Sequence, residues 1–221
     1  DPGPAPSWVG EKISKQEARE NIRAEKIFAP STIASPSANT ASNKGGNNEA
    51  MLAGHISHSL FEHLPTVPKD QRAAAAQAYV SLHGQSLAPN TQEKLIANVL
   101  TVMADPQIAE LFAPHSRAEA PIAGFLTRTN GTQMQFHGQI DRYVETDQAI
   151  YLVDFKTGSV PDVDDIADAY VLQMAVYQAL MRAVGGTKPI RCGLVWTQAC
   201  RVDWLDDERL ASSLANMLSG A

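Results

Sequence analysis

Residues 116–158 form one run that leaves little freedom of fold: SRAEAPIAGFLTRTNGTQMQFHGQIDRYVETDQAIYLVDFKTG. Apolar residues alternate or run together there, and the breaks NGT and ETDQ have the composition of turns. The pattern predicts three strands, at about 117–127, 133–144 and 149–156, joined as an antiparallel meander. A long helix follows in DIADAYVLQMAVYQALMRAVGG, stopped by Gly185 and Gly186. Two further strands are predicted in IRCGLVWTQA and RVDWL. A closing helix with an acidic first turn is predicted in DDERLASSLANMLSG. Strands on either side of a long helix favour parallel pairing. The expectation is an α/β fold with a central mixed sheet of about five strands flanked by helices.

The chain upstream of that run reads as helical. EAMLAGHISHSLFEHL carries Met51, Ile56, Leu60, Phe61 and Leu64 near helical period and stops at Pro65. KDQRAAAAQAYVSLHGQ predicts a helix up to Gly84. NTQEKLIANVLTVMAD predicts another, capped by Asn90 or Thr91, with Leu95, Val99, Leu100 and Val102 on its buried face. DPQIAELFAP predicts a short helix entered through Pro106. Residues 1–48 differ, because FAPSTIASPSANTASNKGGNNEA is rich in Ser, Ala, Asn, Pro and Gly. Only QEARENIRAEK before it has helical charge spacing. Such composition predicts a linker or a strap laid over a surface, with the globular domain spanning 49–221.

A chain of 221 residues can bury one substantial core. No apolar run approaches the roughly 20 residues that cross a bilayer. The start has neither a secretory leader nor an initiator Met, so the expectation is a piece of a longer cytoplasmic protein without a membrane partner. Its net charge of −6 argues against strong unaided gripping of nucleic acid. It leaves room for a domain to which DNA is delivered. Cys192 and Cys200 fit neither a zinc nor an iron–sulfur spacing and read as buried free thiols.

Asp154 and Lys156 stand two apart on a strand, so both leave one face with Cα atoms about 6.6 Å apart. Phe155 points the other way, into packing. Asp141, on the neighbouring strand, reaches the same point if the VETDQA turn sets the register. Two carboxylates and the Phe155 carbonyl make an all-oxygen set suited to Mg²⁺. Lys156 beside them can orient water or stabilise charge on a phosphate. Taken alone, these residues read first as an ordinary ion pair at a sheet edge, with Asp141 paired to Arg142 or capping a turn, because charge pairs on strands are common. The neighbours tilt the balance: Tyr170, Gln173 and Tyr177 fall at i, i+3 and i+7, along one helical face.

The order GHISHSLFEHLP, AEAPIAG, GQIDRY, YLVDFKTG and YVLQMAVYQALM resembles the RecB-type branch of the PD-(D/E)XK nuclease superfamily, over roughly residues 50–210. Within that branch it is most similar to the C-terminal nuclease domains of AddA-type helicase–nuclease subunits of bacterial double-strand-break repair. RCGLVWTQACRVDWL fits the strand pair that follows in those proteins. The resemblance implies a restriction-endonuclease-like fold. It makes Asp141 and Asp154 metal-binding carboxylates, the Phe155 carbonyl a ligand and Lys156 the catalytic lysine. His58 becomes a further ligand, with His55 and His63 as neighbouring alternatives. Gln173 and Tyr177 are expected to steady the site and the DNA strand, with Tyr170, Arg142 and Glu119 as further support or DNA contacts. Phe155 stands where many relatives have Tyr.

The implied activity is exonucleolytic hydrolysis of DNA with Mg²⁺, for which Mn²⁺ substitutes. DNA would arrive as a single strand from an ATP-dependent helicase region linked through residues 1–48, and an AddB-type subunit would be the partner. Two cysteines cannot supply an iron–sulfur cluster in this chain, and no G-x-x-x-x-G-K-[ST] loop occurs in it. Two other readings stay open: a free-standing nuclease of this branch, such as one serving CRISPR adaptation, and a catalytically silent domain that binds DNA or holds a complex together.

Overall fold

In a computed structural model, which describes residues 27–33 and 44–220, there are six α-helices and five strands, and all but the first helix, which lies in the stretch expected to be a linker, follow in the predicted order. The helices are α1 (Pro30–Ile33), α2 (Lys44–His63), α3 (Arg72–His83), α4 (Pro89–Ala104), α5 (Asp168–Val184) and α6 (Asp207–Ser219). The strands are β1 (Arg117–Thr127), β2 (Gln133–Glu145), β3 (Ile150–Lys156), β4 (Ile190–Trp196) and β5 (Arg201–Trp204), side by side in chain order in one sheet. β1, β2 and β3 form the antiparallel meander, and β4 and β5 pair antiparallel. β3 and β4 run parallel, with α5 as the crossover between them. This is the mixed five-stranded α/β sheet the sequence predicts.

Alternation along β3 sorts the molecule into two cores. Val153 and Phe155 pack with α2, α3 and α4 on one face of the sheet. Leu152, one residue away, packs with α5, α6 and Trp196 on the other. Phe155 is sealed between rings, stacked on Phe61 at 4.2 Å and on Phe112 at 6.1 Å. Apolar burial on both faces therefore fixes which way Asp154 and Lys156 leave the strand.

Several local expectations are corrected. α2 starts at Lys44, five residues before the expected Glu49. α4 is not capped by Asn90 or Thr91: Pro89 takes its first turn and Ala88 is the cap residue. The cap comes from α2 instead, where Glu49 Oε1 accepts from the Ala88 N–H and the Thr91 hydroxyl, each at 3.2 Å. The short helix after Pro106 is a 3₁₀ turn, Ala109–Phe112. Cys192 is buried, but Cys200 is only half-buried and donates its thiol to Asp105 Oδ2 at 3.4 Å. Among the described residues no helix is long and apolar enough to cross a membrane.

Of the expected linker at 1–48, residues 44–48 belong to α2 and residues 27–33 lie on the sheet; the rest, including QEARENIRAEK, is outside the described residues. β3 pairs only with the last part of β2, from Arg142 to Glu145, which leaves the earlier edge of β2 open. Phe28 fills it as a parallel bridge to Phe136. Its N–H donates to the Gln135 carbonyl at 2.9 Å, and its carbonyl accepts from His137 at 3.1 Å. A buried β edge needs such partners for its peptide groups.

Candidate active site

β2 and β3 separate just past the Arg142–Val153 rung, and the site is built where they part. There the Asp141 side chain replaces the ladder: its Oδ2 accepts from the Phe155 N–H at 2.8 Å. The register puts Asp141 across from Asp154, as the sequence requires. Further back along the same edge, the Tyr177 hydroxyl donates to the Gln139 carbonyl at 2.7 Å. Gly138 makes room for this, because a Cβ there would lie 3.2 Å from both Tyr177 Cε1 and Pro30 Cδ.

β2 also changes faces at this level. Phe136 and Ile140 pack toward α5, whereas Val144 packs toward α2 and α4, although all three have even numbers. Arg142 joins Val144, donating to the Phe61 carbonyl with its guanidinium 5.3 Å from the Phe112 ring. The alternation thus slips at the rung where Glu119 faces Asp141, and Glu119 has a left-handed φ of 46°. Non-glycine residues hold that conformation only where their surroundings enforce it, and such places cluster at functional sites.

The first half of the site is a closed set of hydrogen bonds. Asp154, 5% exposed, meets the Lys156 ammonium through Oδ2 at 2.7 Å. Its Oδ1 accepts from the Gln173 amide at 2.8 Å, and the Gln173 oxygen accepts from Lys156 at 3.1 Å. Lys156 also lies 4.0 Å from the centre of the Tyr170 ring. α5 follows β3 closely in the chain, so its Tyr170–Gln173–Tyr177 stripe is laid along the same strand ends.

The second half faces a cavity of about 560 Å³ lined by His55, His58, Ser59, Glu62, Glu119, Gln139 and Asp141. One ligand atom each from His58, Glu119 and Asp141 lies within 4.8 Å of the others, and His58 Nδ1 is 3.4 Å from Asp141 Oδ2. α2 comes this near the β3 end because Gly54 lacks a side chain: a Cβ there would stand 3.2 Å from Thr157 Oγ1. Arg142 anchors the other end of α2 through the Phe61 carbonyl, one of the last-turn acceptors a helix leaves unpaired.

The charges are crowded. Burial, and then the charge of Asp154, hold the Asp141 carboxyl well above its ordinary range. Burial and then Glu62 raise Glu119. Burial lowers the His58 imidazole, against the pull of Asp154 and a hydrogen bond to the Phe155 backbone. Burial also lifts the Tyr177 phenol far above its usual value, so it stays a hydrogen-bond donor. Carboxylates pushed up by desolvation and by one another, beside a neutral imidazole, form a donor set that a divalent cation would relieve. The residues present fit such an ion.

Asp141, Asp154, Lys156, Gln173, Tyr170 and His58 are thus gathered at one point, with the Phe155 backbone among them. Glu119, expected as further support or a DNA contact, faces Asp141. Arg142 points away from this cleft, 2% exposed under α2, where no DNA strand reaches it, and it does not pair with Asp141. His63 turns outward to Glu62 at 3.8 Å, while His55 lines the cavity. Glu62 went unread in the sequence. Its signal was its place one turn after His58, and seven residues after His55, on a single helix face.

The mixed sheet parts around paired aspartates, with a lysine two residues past the second, in a D…D-x-K arrangement. A family model of the PD-(D/E)XK nuclease superfamily matches residues 38–213, and the chain belongs to that superfamily. It is similar to an ATP-dependent helicase/nuclease subunit of Limosilactobacillus fermentum (strain NBRC 3956 / LMG 18251), 28% identical over 172 residues. That match takes in 67% of this chain but only 13% of the relative's length. A solved structure, that of SSO0001, superposes over 91% of this chain and 79% of its own at 10% identity and a TM-score of 0.39, a loose likeness.

Proposed function

We propose that the chain is a metal-dependent deoxyribonuclease domain that degrades DNA exonucleolytically as part of an AddAB-type helicase–nuclease. The observation that carries this reading is the Asp154–Lys156–Gln173 set beside the Asp141–His58–Glu119 cluster. Its likeness to a helicase/nuclease protein supports the assignment to a larger cytoplasmic repair enzyme. Its partners there would be an ATP-driven helicase region and an AddB-type subunit. The net charge of −6 agrees with DNA being delivered rather than captured.

Asp141, His58 and Glu119 would hold Mg²⁺ or Mn²⁺, with Asp154 and the Phe155 carbonyl as the further ligands named by the sequence. When bound, the ion supplies Lewis acidity toward the phosphodiester and acidifies a water. Lys156 holds a positive charge where the phosphate becomes more negative, and its ammonium can orient the attacking water. Gln173 fixes Lys156 relative to Asp154, so little reorganisation is left for the reaction itself. Tyr177 keeps the parted edge of β2 in place through Gln139.

The test is digestion of end-labelled single-stranded DNA by the chain with Mg²⁺, with Mn²⁺ and with chelator. Cleavage should need the metal, and Lys156→Ala and Asp154→Ala should abolish it while circular dichroism shows both folded. A folded variant that cuts at the wild-type rate, or a wild type inert with either metal, would sink the proposal.

A further inference from the structure

We infer that Tyr170 is a positioning residue for Lys156, its ring face closing the third side of the seat in which the ammonium is held. The inference deepens the proposed nuclease function and rests on it for its kinetic test. A lysine is a compact charge on a flexible four-carbon stem, and two acceptors leave its head free to swing away from them. Here the acceptors are Asp154 Oδ2 at 2.7 Å and Gln173 Oε1 at 3.1 Å. The open side is covered by the Tyr170 ring, 4.0 Å from Nζ to its centroid. An ammonium is attracted to the negative face of an aromatic ring, more strongly where water is displaced. The Lys156 side chain is 13% exposed, so the contact lies in such a place.

The ring is braced from behind. Trp196, 2% exposed, meets Tyr170 edge-on at 6.1 Å. The Trp196 indole N–H donates to Asp203 Oδ2 at 2.7 Å, and the same oxygen accepts from Arg201 at 2.7 Å. Arg201 in turn donates to the Pro161 carbonyl at 2.7 Å, in the loop between β3 and α5. The β4–β5 hairpin, which contributes nothing to the metal cluster, therefore sets the position of the lysine through two packed aromatic residues. A Tyr beside a nuclease centre could also serve as a platform for a DNA base. Its face is occupied by the ammonium, which favours the positioning role.

The experiment compares Tyr170→Phe and Tyr170→Leu with the wild-type chain. Tyr170→Leu should lower kcat about tenfold with KM unchanged, as expected for loss of one desolvated cation–ring contact. Tyr170→Phe keeps the ring face and should restore wild-type kcat. In spectra of ¹³C-lysine-labelled protein, the Lys156 ε-methylene should show an upfield ring-current shift, kept in Tyr170→Phe and lost in Tyr170→Leu. An unchanged kcat in Tyr170→Leu overturns the inference. So does a raised KM at constant kcat, which marks a strand-binding platform, or an equal loss in Tyr170→Phe, which assigns the effect to the hydroxyl. If the wild type does not cut DNA, the nuclease proposal falls by itself and the shift alone decides. Its absence from the wild type overturns the seat, and its loss only in Tyr170→Leu sustains it.

Discussion

Gln173 joins Asp154 to Lys156 with both ends of one amide, donating to the carboxylate at 2.8 Å and accepting from the ammonium at 3.1 Å. An amide offers a donor and an acceptor in that spacing without a charge of its own. Gln173→Leu would leave a buried carboxylate oxygen and an ammonium proton without partners. Activity should fall about ten- to hundredfold, the usual cost of losing a group that orients a ligand. Gln173→Glu keeps the lysine contact but sets a second carboxylate against Asp154, and should fall at least as far. Steady-state rates on single-stranded DNA, with circular dichroism as the folding control, check both.

Asp141 makes the site costly at neutral pH. Its carboxyl is raised by burial and by Asp154, so the folded chain keeps a proton that the unfolded chain has released above about pH 4. That contribution to stability is complete below the unfolded value and is lost as pH rises through the folded one. Glu119 acts in the same sense. His58, lowered by burial, acts in the opposite sense up to its ordinary value, so the informative comparison is between wild type and Asp141→Asn. In chelator, Asp141→Asn should melt higher than wild type at pH 7, with the gap closing toward pH 4. Mg²⁺ should stabilise the wild type increasingly as pH rises and leave the variant unmoved. A gap that widens toward acid would contradict this assignment.

Much of this was legible because two periodicities carried it. The alternation of β3 placed Phe155 in one core and Asp154 and Lys156 opposite it, and the i, i+3, i+7 stripe of α5 put Gln173 over them. Alternation failed in β2 at Asp141, on the rung where β1 carries Glu119 in a left-handed conformation that no composition announces. The cap of α4 failed for another reason. Glu49 reaches it from 39 residues away, and a local rule reads only neighbours. Arg142 was read as a partner of Asp141 or a DNA contact because it follows Asp141 in the chain, yet its partner is a helix-end carbonyl across the core.

Arg142 should accordingly be a stability residue with a catalytic consequence. Burial pulls its guanidinium down to about 10, still charged at neutral pH. It ties the Phe61 carbonyl of α2 to β2 and shields it from water. Arg142→Met would fill the space but leave that acceptor bare, at about 2–3 kcal/mol for a lost hydrogen bond from a charged donor. Urea denaturation should show this as a lower midpoint with an unchanged slope. Because α2 carries His58, the metal affinity of the variant should fall as well, whereas a surface arginine would change neither.

Gly138 couples the strap at residues 27–33 to the site, and its substitution should expose that coupling. A Cβ there would lie 3.2 Å from Pro30 Cδ and 3.3 Å from the Tyr177 hydroxyl. Either the strap lifts from β2 or Tyr177 leaves the Gln139 carbonyl, so Gly138→Ala should cost about 1–3 kcal/mol as overpacking. Tyr177→Phe leaves the same carbonyl without its donor and should cost about 1–3 kcal/mol. If the new methyl group acts by displacing Tyr177, the two losses share one cause. The double variant should then be less destabilised than the sum, by roughly 0.5 kcal/mol or more. Additive losses in thermal denaturation would mean that the methyl group moves Pro30 instead, and would separate the strap from the catalytic edge.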